Sequence, residues 1–462
     1  MKTLFLIVDS GTAIRNILRT SVLKTILDDS DAQIIIFSPV FSDEFKNEFE
    51  SERVTVHPLP QRRRSRLESL IHSIRRNVWA DYTGLFSFNL KRKYKTFFLI
   101  RGLFALLGKV LPTPAQQRLL KKLHDLEFQL APKLRTAYFD DYNPDLVFYT
   151  SMFSPQRTGL ELEAEQRKIS SIAFIMSWDN TTVKGPLNQR PSKFIVWNEI
   201  MKKELIDYHM VEHDRIFVSP PPQFDCYQHQ RSIKNLEDFC KKYSIPSGKK
   251  IISYTTGTPG CAPRDFEVVK MLCEEIKSRN LNDSIHLIIR PHPKDQLSKY
   301  EFITEVPFAT LQKPGRTSSA MDSWNPSREN MEELAELMLY SDININVAST
   351  ITIDAAIFDT PVINVAFDGA KNLRFHKSCR RLYHYEHYKY MQDQGGVPLA
   401  NSMDELLTYL KEHLADPNWG EKGRETIRAN QVGIIKWNSG QKIGEFISKI
   451  LMKKVGLNVT RN

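Results

Sequence analysis

The sequence predicts two α/β domains, each built around a mainly parallel β-sheet. Short apolar segments alternate with amphipathic stretches along both halves of the chain, as is typical of repeated strand–helix units. With 462 residues the chain is too long for one ordinary core, and two domains of about 200 residues each suit its length. Polar turns follow several of the predicted strands, where ligands bind in such sheets.

The first predicted domain covers residues 1–222. Its strands are expected at residues 4–8, 34–37, 54–57, 146–149, 172–176, 194–197 and 216–218. A first helix is predicted over residues 13–27, and a basic helical insertion interrupts the strands at about residues 61–135. The turn-forming sequence SPPP at residues 219–222 ends the domain.

Residues 223–248 are polar, charged and helix-prone, which suits a linker. A second domain is predicted over residues 249–432. Its expected strands lie at residues 251–254, 285–289, 308–311, 343–347 and 362–365, and its expected helices lie near residues 266–278, 331–339 and 351–358. Residues 433–462 are predicted to form a C-terminal helix and tail.

The composition is that of a folded soluble protein, with 41% hydrophobic and 26% charged residues. No run of 18 apolar residues occurs, and Met1-Lys2 leads directly into the first predicted strand, so neither a transmembrane helix nor a signal peptide is expected. The five cysteines form no Cys-x-x-Cys pair. They favour a reduced, cytoplasmic setting without a structural metal.

The net charge of +10 is concentrated in residues 61–122, which include QRRRSR at 61–66 and KRKYK at 91–95. An apolar run at residues 96–111 lies within this region. One interpretation is a peripheral contact with the inner face of the plasma membrane or with a lipid-linked acceptor. The other is a buried core helix with a solvated basic flank. Motifs of nucleic-acid recognition are missing from the sequence, so no nucleic-acid partner is expected.

Two polar turns in the second domain predict a phosphate site. Arg290 and His292, in the sequence RPHP, follow one predicted strand, and Ser349-Thr350 follow another. Arg290 and His292 offer cationic or hydrogen-bonding groups to phosphate oxygens. Ser349 and Thr350 offer hydroxyls and a helix cap. Asp354, about one turn into that helix, can accept hydrogen bonds from a ribose diol.

Each turn also has a structural explanation by itself. Proline after a strand can simply end the strand, and a Ser-Thr pair can serve only as an N-cap. The order of the two turns within one strand–helix array favours a shared ligand site.

Two aspartates in the first domain are candidates for a general base. Asp179, in the sequence SWDN, follows the predicted strand at 172–176, and a carboxylate there could deprotonate an acceptor hydroxyl. Asp9 follows the first strand beside Gly11, where a ligand could approach the backbone. Either aspartate could instead serve as a turn or cap residue.

The segment DININVASTITIDAAIFDTPVINVAFDG at residues 342–369 resembles the donor-binding unit shared by GT-B glycosyltransferases and non-hydrolysing UDP-sugar 2-epimerases. The resemblance implies a GT-B fold of two facing Rossmann-like domains. It also implies that Ser349, Thr350 and Asp354 contact the donor. Asp354 stands where many relatives have glutamate, and Asp359-Thr360 where many have glycine.

His292-Pro293 together with Ser349-Thr350 also resembles the motifs of bacterial sialyltransferases and capsule Kdo transferases, and CDP-glycerol glycerophosphotransferases carry similar elements. This likeness implies that His292 contacts the donor phosphate. Gly257 and Thr258 resemble the loop that covers the donor pyrophosphate. The His-rich stretch 376–387 lacks the spacing of a metal site, and neither a metal nor a cofactor is expected.

These features predict a glycosyltransferase that moves a sugar from a CMP-, CDP- or UDP-linked donor to a surface glycan or lipid-linked acceptor. Asp179 or Asp9 would take the acceptor proton, and the turns at 290–293 and 349–350 would stabilise the leaving phosphate. The alternatives are a CDP-glycerol-type phosphotransferase and a non-catalytic protein that binds sugar nucleotides or glycans. An epimerase is also considered, but the acids that it needs are not evident in the first half.

Overall fold

The computed structural model describes residues 1–95, 111–150, 152–153, 159–228, 235–314, 325–433 and 436–453. The described chain forms two parallel β-sheets flanked by helices, as the sequence predicted. The apolar run predicted to contact a membrane or a core falls, at residues 96–110, outside the described residues. Among the described helices, none combines the length and the apolar character needed to cross a membrane.

The first sheet has seven strands in the order β3-β2-β1-β4-β5-β6-β7. The strands are β1 (Thr3–Ile7), β2 (Gln33–Ser38), β3 (Val54–Pro58), β4 (Leu146–Tyr149), β5 (Ser170–Phe174), β6 (Lys193–Val196) and β7 (Ile216–Val218). Their neighbours pair in parallel throughout. The central strand β1 is wholly buried because helices cover both faces of the sheet, which explains its continuous apolar sequence.

The second sheet has six parallel strands in the order β10-β9-β8-β11-β12-β13. The strands are β8 (Lys250–Thr255), β9 (Ile285–Arg290), β10 (Ala309–Leu311), β11 (Ile343–Asn346), β12 (Val362–Val365) and β13 (Leu399–Ala400). Strand β13 was not predicted, because its two residues are too few to show a hydrophobic period. In each sheet the strand order reverses beside the first strand of its domain, so loops at the carboxyl edge diverge there and leave a crevice.

The described residues form seventeen α-helices of four or more residues, numbered in chain order. They are α1 (Ser21–Asp29), α2 (Asp43–Phe49), α3 (Arg66–Thr83), α4 (Phe86–Lys95), α5 (Thr113–Leu130), α6 (Ala137–Tyr142), α7 (Gly159–Gln166), α8 (Asn180–Val183), α9 (Glu199–His209), α10 (Leu236–Lys242), α11 (Asp265–Ser278), α12 (Arg328–Tyr340), α13 (Ile351–Ile357), α14 (Glu386–Gln392), α15 (Met403–Ala415), α16 (Glu421–Gln431) and α17 (Ser439–Met452).

The single helix predicted over residues 13–27 is wrong. A π-helical turn at Ile14–Leu18 precedes α1, and the helical structure is interrupted between them. Thr20 has an extended backbone and is the N-cap of α1. The Thr20 hydroxyl donates to the carbonyl of Asn16 at 3.0 Å and accepts from the N–H of Val22 at 3.5 Å. The threonine side chain thus ends one helical segment and starts the next.

The basic insertion forms a helical layer on the first domain. Its core is an ion-paired cluster in which the buried Glu127 of α5 accepts from Arg75 of α3 at 2.9 Å. Trp79 is also buried and donates to the carbonyl of Tyr208 at 2.8 Å. The charges of Arg75 and Glu127 therefore hold the insertion together, since a buried charge needs a partner.

The C-terminal helix α17 returns to the first domain and packs on α1. A Cβ atom added to Gly440 would lie 2.4 Å from Ser21 Oγ, and one added to Gly444 would lie 2.6 Å from Thr25 Cβ. The two helices can approach this closely only because both positions lack a side chain. Asp225 in the linker accepts from the N–H groups of Ser439 at 3.1 Å and Gly440 at 2.7 Å, which fixes the start of α17.

We expect Gly444→Ala to lower the free energy of unfolding by about 1–2 kcal/mol. The added methyl group overpacks the contact with Thr25, and the better helix propensity of alanine offsets only part of that cost. Urea-induced unfolding followed by circular dichroism measures the change. Gly260→Ala is the control, because its added Cβ would meet open space at an ordinary φ angle. Equal stability of the two variants would contradict the close packing of α17 on α1.

Candidate functional site

A cavity of about 240 Å³ opens between the two sheets at the carboxyl ends of their strands. We call it the donor cavity because it lies where the sequence predicted a donor site. Five of the residues predicted to bind a donor line it, together with residues of the first domain and the linker. The predicted residues are Arg290, His292, Ser349, Thr350 and Asp354, and the others include Thr12, Arg15, Ser177, Gln223 and Tyr227. Turns separated by some sixty residues in the sequence therefore meet in one site.

Arg290 is the last residue of β9, and its side chain is buried. Its guanidinium donates to Gln312 Oε1 at 2.7 Å and to the carbonyl of Asn330 at 3.3 Å. Burial lowers the pKa of Arg290, although nearby acidic groups oppose this shift. A guanidinium stays charged after such a shift, so Arg290 supplies a fixed positive charge to the wall of the cavity.

His292 is held as a neutral ring. Its backbone N–H donates to Thr256 Oγ1 at 2.9 Å, which ties the turn after β9 to the turn after β8. Its Nδ1 atom accepts from the backbone N–H of Lys294 at 3.0 Å, so the ring proton resides on Nε2. Burial, assisted by the positive charge of Lys294, lowers the pKa of His292 to about 4. His292 can therefore donate one hydrogen bond from Nε2, but it carries no charge near neutral pH.

The turn at Ser349-Thr350 rests on a buried polar network. Ser349 Oγ accepts from the N–H of Ile351 at 3.3 Å, which starts α13, and Tyr383 fixes the preceding residue by accepting from the N–H of Ala348 at 3.0 Å. Behind the turn, five buried side chains hydrogen-bond with one another. They are Asn344, Asn346, Thr352, Asn364 and Tyr388. A network with this many internal bonds gives the turn a single conformation.

Asp354 is buried and accepts a hydrogen bond from the hydroxyl of Tyr227 in the linker. Burial raises the pKa of Asp354 to about 6, and the Tyr227 hydrogen bond and the charges of Arg15 and Arg290 limit this rise. The carboxyl group lines the donor cavity, where the sequence analysis expected a ribose contact. Its hydrogen bond to Tyr227 also makes it a tie between the linker and the second domain.

Gly257 and Thr258, which were also predicted to bind the donor, are not among the residues that line the donor cavity. A Cβ atom on Gly257 would lie 3.1 Å from the Cβ of Ala262, and the N–H of Gly257 donates to the buried Asp265 at 2.7 Å. The carbonyl of Thr258 accepts from the N–H of Ala262 at 2.9 Å. The residues that line the donor cavity here are the two preceding ones, Thr255 and Thr256.

A second cavity of about 610 Å³ adjoins the donor cavity. We call it the acceptor cavity because Asp179, a predicted base for an acceptor hydroxyl, lines it. Ser177 of the first domain and Thr350 of the second domain line both cavities. The two cavities are therefore adjacent and are separated by the turns that carry these residues. Asp179 lines the acceptor cavity together with Lys184, His387 and the Gly260 turn.

Asp179 precedes the short helix α8 and leaves its carboxylate out of helix capping. Burial opposes its ionisation, but electrostatic interactions with His387, Lys184 and Lys91 and a hydrogen bond from Ser177 outweigh this effect, so the pKa of Asp179 lies below the usual value. The Asp179 carboxylate is therefore ionised at neutral pH and faces a cavity next to the donor cavity. An ionised carboxylate at this place is available to accept a proton.

Asp9 has a different environment. Its Oδ1 atom accepts from the hydroxyl of Thr150 at 2.9 Å, and its N–H donates to the same hydroxyl oxygen at 3.3 Å. This pairing ties the turn after β1 to the end of β4. The residues that reach the donor cavity from this turn are Thr12 and Arg15.

Several residues that line the two cavities were not predicted as site residues. Tyr227 and Arg15 line the donor cavity, and Lys91 and His387 line the acceptor cavity. Lys91 belongs to the KRKYK segment that the sequence analysis related to a membrane surface. No local pattern marks these residues, because their neighbours come from distant parts of the chain.

No protein-family model matches the sequence, and no curated protein matches it either. Solved structures do resemble the fold. A glycosyltransferase from Rickettsia africae is 13% identical, with a TM-score of 0.51 and coverage of 98% of this chain and 99% of its own. The UDP-GlcNAc 2-epimerase of Neisseria meningitidis bound to UDP-GlcNAc is 13% identical, with a TM-score of 0.52 and coverage of 97% and 100%.

The wall teichoic acid polymerase TagF, in a crystal soaked with CDPG, is 12% identical, with a TM-score of 0.50 and coverage of 97% of this chain and 88% of its own. These likenesses extend over nearly the whole chain and include both sheets. They confirm the predicted architecture, in which two Rossmann-like domains face each other across a cleft. The chain has the GT-B fold.

Proposed function

We propose that the protein is a glycosyltransferase that moves a sugar from a nucleotide-activated donor to a surface glycan or lipid-linked acceptor. One observation carries the proposal: a cavity with phosphate-binding groups adjoins a cavity with an ionised carboxylate, and Ser177 and Thr350 line both. A sugar joined to a diphosphate in the first cavity would reach toward an acceptor hydroxyl in the second.

The reaction would be a direct displacement. Asp179 takes the proton of the acceptor hydroxyl, and the hydroxyl oxygen forms a bond to the anomeric carbon of the sugar. The bond between this carbon and the phosphate oxygen breaks, and the nucleotide leaves with the electron pair. Arg290 and Arg15 then face the added negative charge, and His292 donates a hydrogen bond from Nε2. The proposed reaction uses neither a metal ion nor a cofactor.

Asp179 rather than Asp9 is proposed as the base, because Asp179 lines the acceptor cavity whereas Asp9 is bonded to Thr150. Glu204 lies near Asp179 and accepts a hydrogen bond from the hydroxyl of Thr181. Burial raises the pKa of Glu204 to about 8, and the negative charges of Glu386 and Asp179 add to this shift. Near neutral pH the proton therefore resides on Glu204, and Asp179 keeps its charge.

A CDP-glycerol-type phosphotransferase is the second candidate, and it is favoured by the shared fold of TagF. In that reaction the acceptor oxygen would attack phosphorus, and glycerol phosphate would move instead of a sugar. Incubation with labelled CDP-glycerol and with CMP- and UDP-sugars, followed by product analysis, separates the two. A non-catalytic binding protein would bind these donors and turn over none of them, and an epimerase would convert UDP-sugars without any acceptor.

We expect a nucleoside diphosphate or CMP to raise the melting temperature, because a ligand that binds only the folded state stabilises it by about 2.7 kcal/mol at a hundredfold excess over Kd. Differential scanning fluorimetry with CMP, CDP, UDP, GDP and ADP tests this and identifies the base. Arg15→Ala should reduce the shift, since Arg15 lines the donor cavity. The control is Arg53→Ala, a residue bonded to the carbonyls of Ser30 and Leu27. Absence of any shift would contradict the donor site.

Asp179→Asn should lower kcat by about 10²- to 10⁴-fold, the usual contribution of a general base, and leave the nucleotide-induced melting shift unchanged. Asp9→Asn is the matched variant, and we expect it to retain kcat within about threefold, because asparagine can still accept from Thr150. Initial rates with the donor identified above measure both. A larger loss in Asp9→Asn would transfer the base role to that residue.

Glu204→Gln should stabilise the protein at alkaline pH. The folded protein keeps Glu204 protonated up to about pH 8, whereas the unfolded chain loses this proton near its ordinary value of 4.5. The contribution of Glu204 to stability is therefore complete below about pH 4.5 and is lost as the pH rises to 8. We expect the melting temperature of the variant, relative to that of the parent, to rise between pH 5 and pH 8. Above pH 8 the difference between the two melting temperatures should stay constant. A constant difference between pH 5 and pH 8 would show that the pKa of Glu204 is not raised.

A further inference from the structure

We propose that the acceptor is anionic and that Lys91, Lys184 and Arg381 bind its negative charge in the acceptor cavity. This inference rests on the proposed function, because it takes the cavity beside Asp179 as the place of the acceptor. The chemical group recognised is a carboxylate or phosphate. It could belong to an acidic glycan or to the phosphate of a lipid carrier.

The fixed charges of the acceptor cavity do not balance. Among the described residues, its lining contains three permanent cations, Lys91, Lys184 and Arg381, and one carboxylate, that of Asp179. Burial lowers the pKa of His387, whereas the negative charges of Asp179 and Glu386 oppose this shift, so His387 is not counted among the permanent cations. Even when the charge of Glu386 beside the lining is included, positive charges outnumber negative ones, which favours an anionic acceptor over a neutral one.

Lys91 is held in place by both domains. Its Nζ atom donates to the carbonyl of Val183 at 3.2 Å and lies 5.8 Å from the centre of the Tyr385 ring. Helix α4, which carries Lys91, is itself fixed to the second domain, since Glu386 accepts from the N–H groups of Phe86 and Ser87 at its start. The ammonium group is therefore positioned at the cavity by packing, unlike the mobile side chains of a solvated basic flank.

The opposite end of α4 closes the cavity. Tyr94 stacks on His376 with ring centres 3.8 Å apart and an angle of 16° between the rings. Both rings line the cavity. Arg381 completes the charged wall from the second domain, and its guanidinium donates to the carbonyls of Gly260 at 2.8 Å and Cys261 at 3.3 Å. The KRKYK segment thus contributes a charged and an aromatic side chain to a built cavity.

Lys184 approaches from the SWDN turn of the first domain. Its side chain is exposed, and its charge helps to keep Asp179 ionised. An anionic group placed between Lys184 and Lys91 would be held beside the proposed base by two ammonium groups. This placement orients an acceptor hydroxyl near Asp179 without using the donor cavity.

Binding to the full-length protein can test the inference without any turnover. Trigalacturonic acid serves as the acidic glycan, citronellyl phosphate as the lipid phosphate and maltotriose as the neutral probe, each titrated calorimetrically. We expect one of the anionic probes to bind at least about tenfold more tightly than maltotriose and to weaken as salt is raised. Lys91→Gln and Lys184→Gln should each weaken this binding by about three- to tenfold.

Lys93→Gln is the matched control. It removes the same charge from the same helix at an exposed position outside the cavity lining, and we expect affinity within about twofold of the parent. Lys91 and Lys184 are also exposed, so their variants should fold. The relative affinities of trigalacturonic acid and citronellyl phosphate decide between the two sources of negative charge.

Equal binding of maltotriose, no binding of either anionic probe, or equal losses in Lys91→Gln and Lys93→Gln would each overturn the inference. Failure of the proposed function looks different. A protein that binds the anionic probes in a Lys91-dependent way but turns over no sugar nucleotide would retain the anionic site and lose the transferase assignment. Transfer to neutral acceptors, unaffected by Lys184→Gln, would retain the transferase and remove the anionic acceptor.

Discussion

The contact of α17 with α1 is the constraint on which the cleft depends. The polypeptide passes from the first domain to the second through the linker and returns to the first domain before α17. Asp225 of the linker connects the two passages, because its carboxylate accepts from the first N–H groups of α17. Tyr227, two residues later, bonds to Asp354 in the donor cavity. The same short stretch of linker therefore fixes both the return of the C-terminus and one wall of the site.

The two cavities differ in the charges of the groups that line them. In the donor cavity, the ring of His292 is neutral and its Nδ1 atom accepts from the N–H of Lys294, so the permanent positive charges of the described lining are those of Arg15 and Arg290. In the acceptor cavity, one carboxylate has to stay ionised while partly enclosed. Surrounding cations and the protonated state of Glu204 make this possible, since two neighbouring carboxylates in such an environment would not both ionise easily.

Much of the fold could be predicted because most of the buried parallel strands are rich in apolar residues, and each of β1 to β12 overlaps a predicted strand. The meeting of the turns at 290–293 and 349–350 could be predicted for a related reason: in a parallel sheet, residues that follow the strands meet at one edge. The break at Thr20 could not be predicted, because it depends on which carbonyl one hydroxyl meets. Similarly, nothing near Lys91 in the sequence indicates that Val183 and Tyr385 will hold it.

The position of α4 has a consequence for the order of events in the proposed reaction. The helix belongs to the first domain, but its start is bonded to Glu386 and its end stacks on His376, both in the second. The acceptor cavity is therefore complete only at one angle between the domains. A rotation that opened the cleft would separate Lys91 from Tyr385, and Lys91 and Arg381 would no longer line the same cavity. Acceptor affinity would then report on domain closure, and a donor that favours the closed arrangement would bind cooperatively with the acceptor.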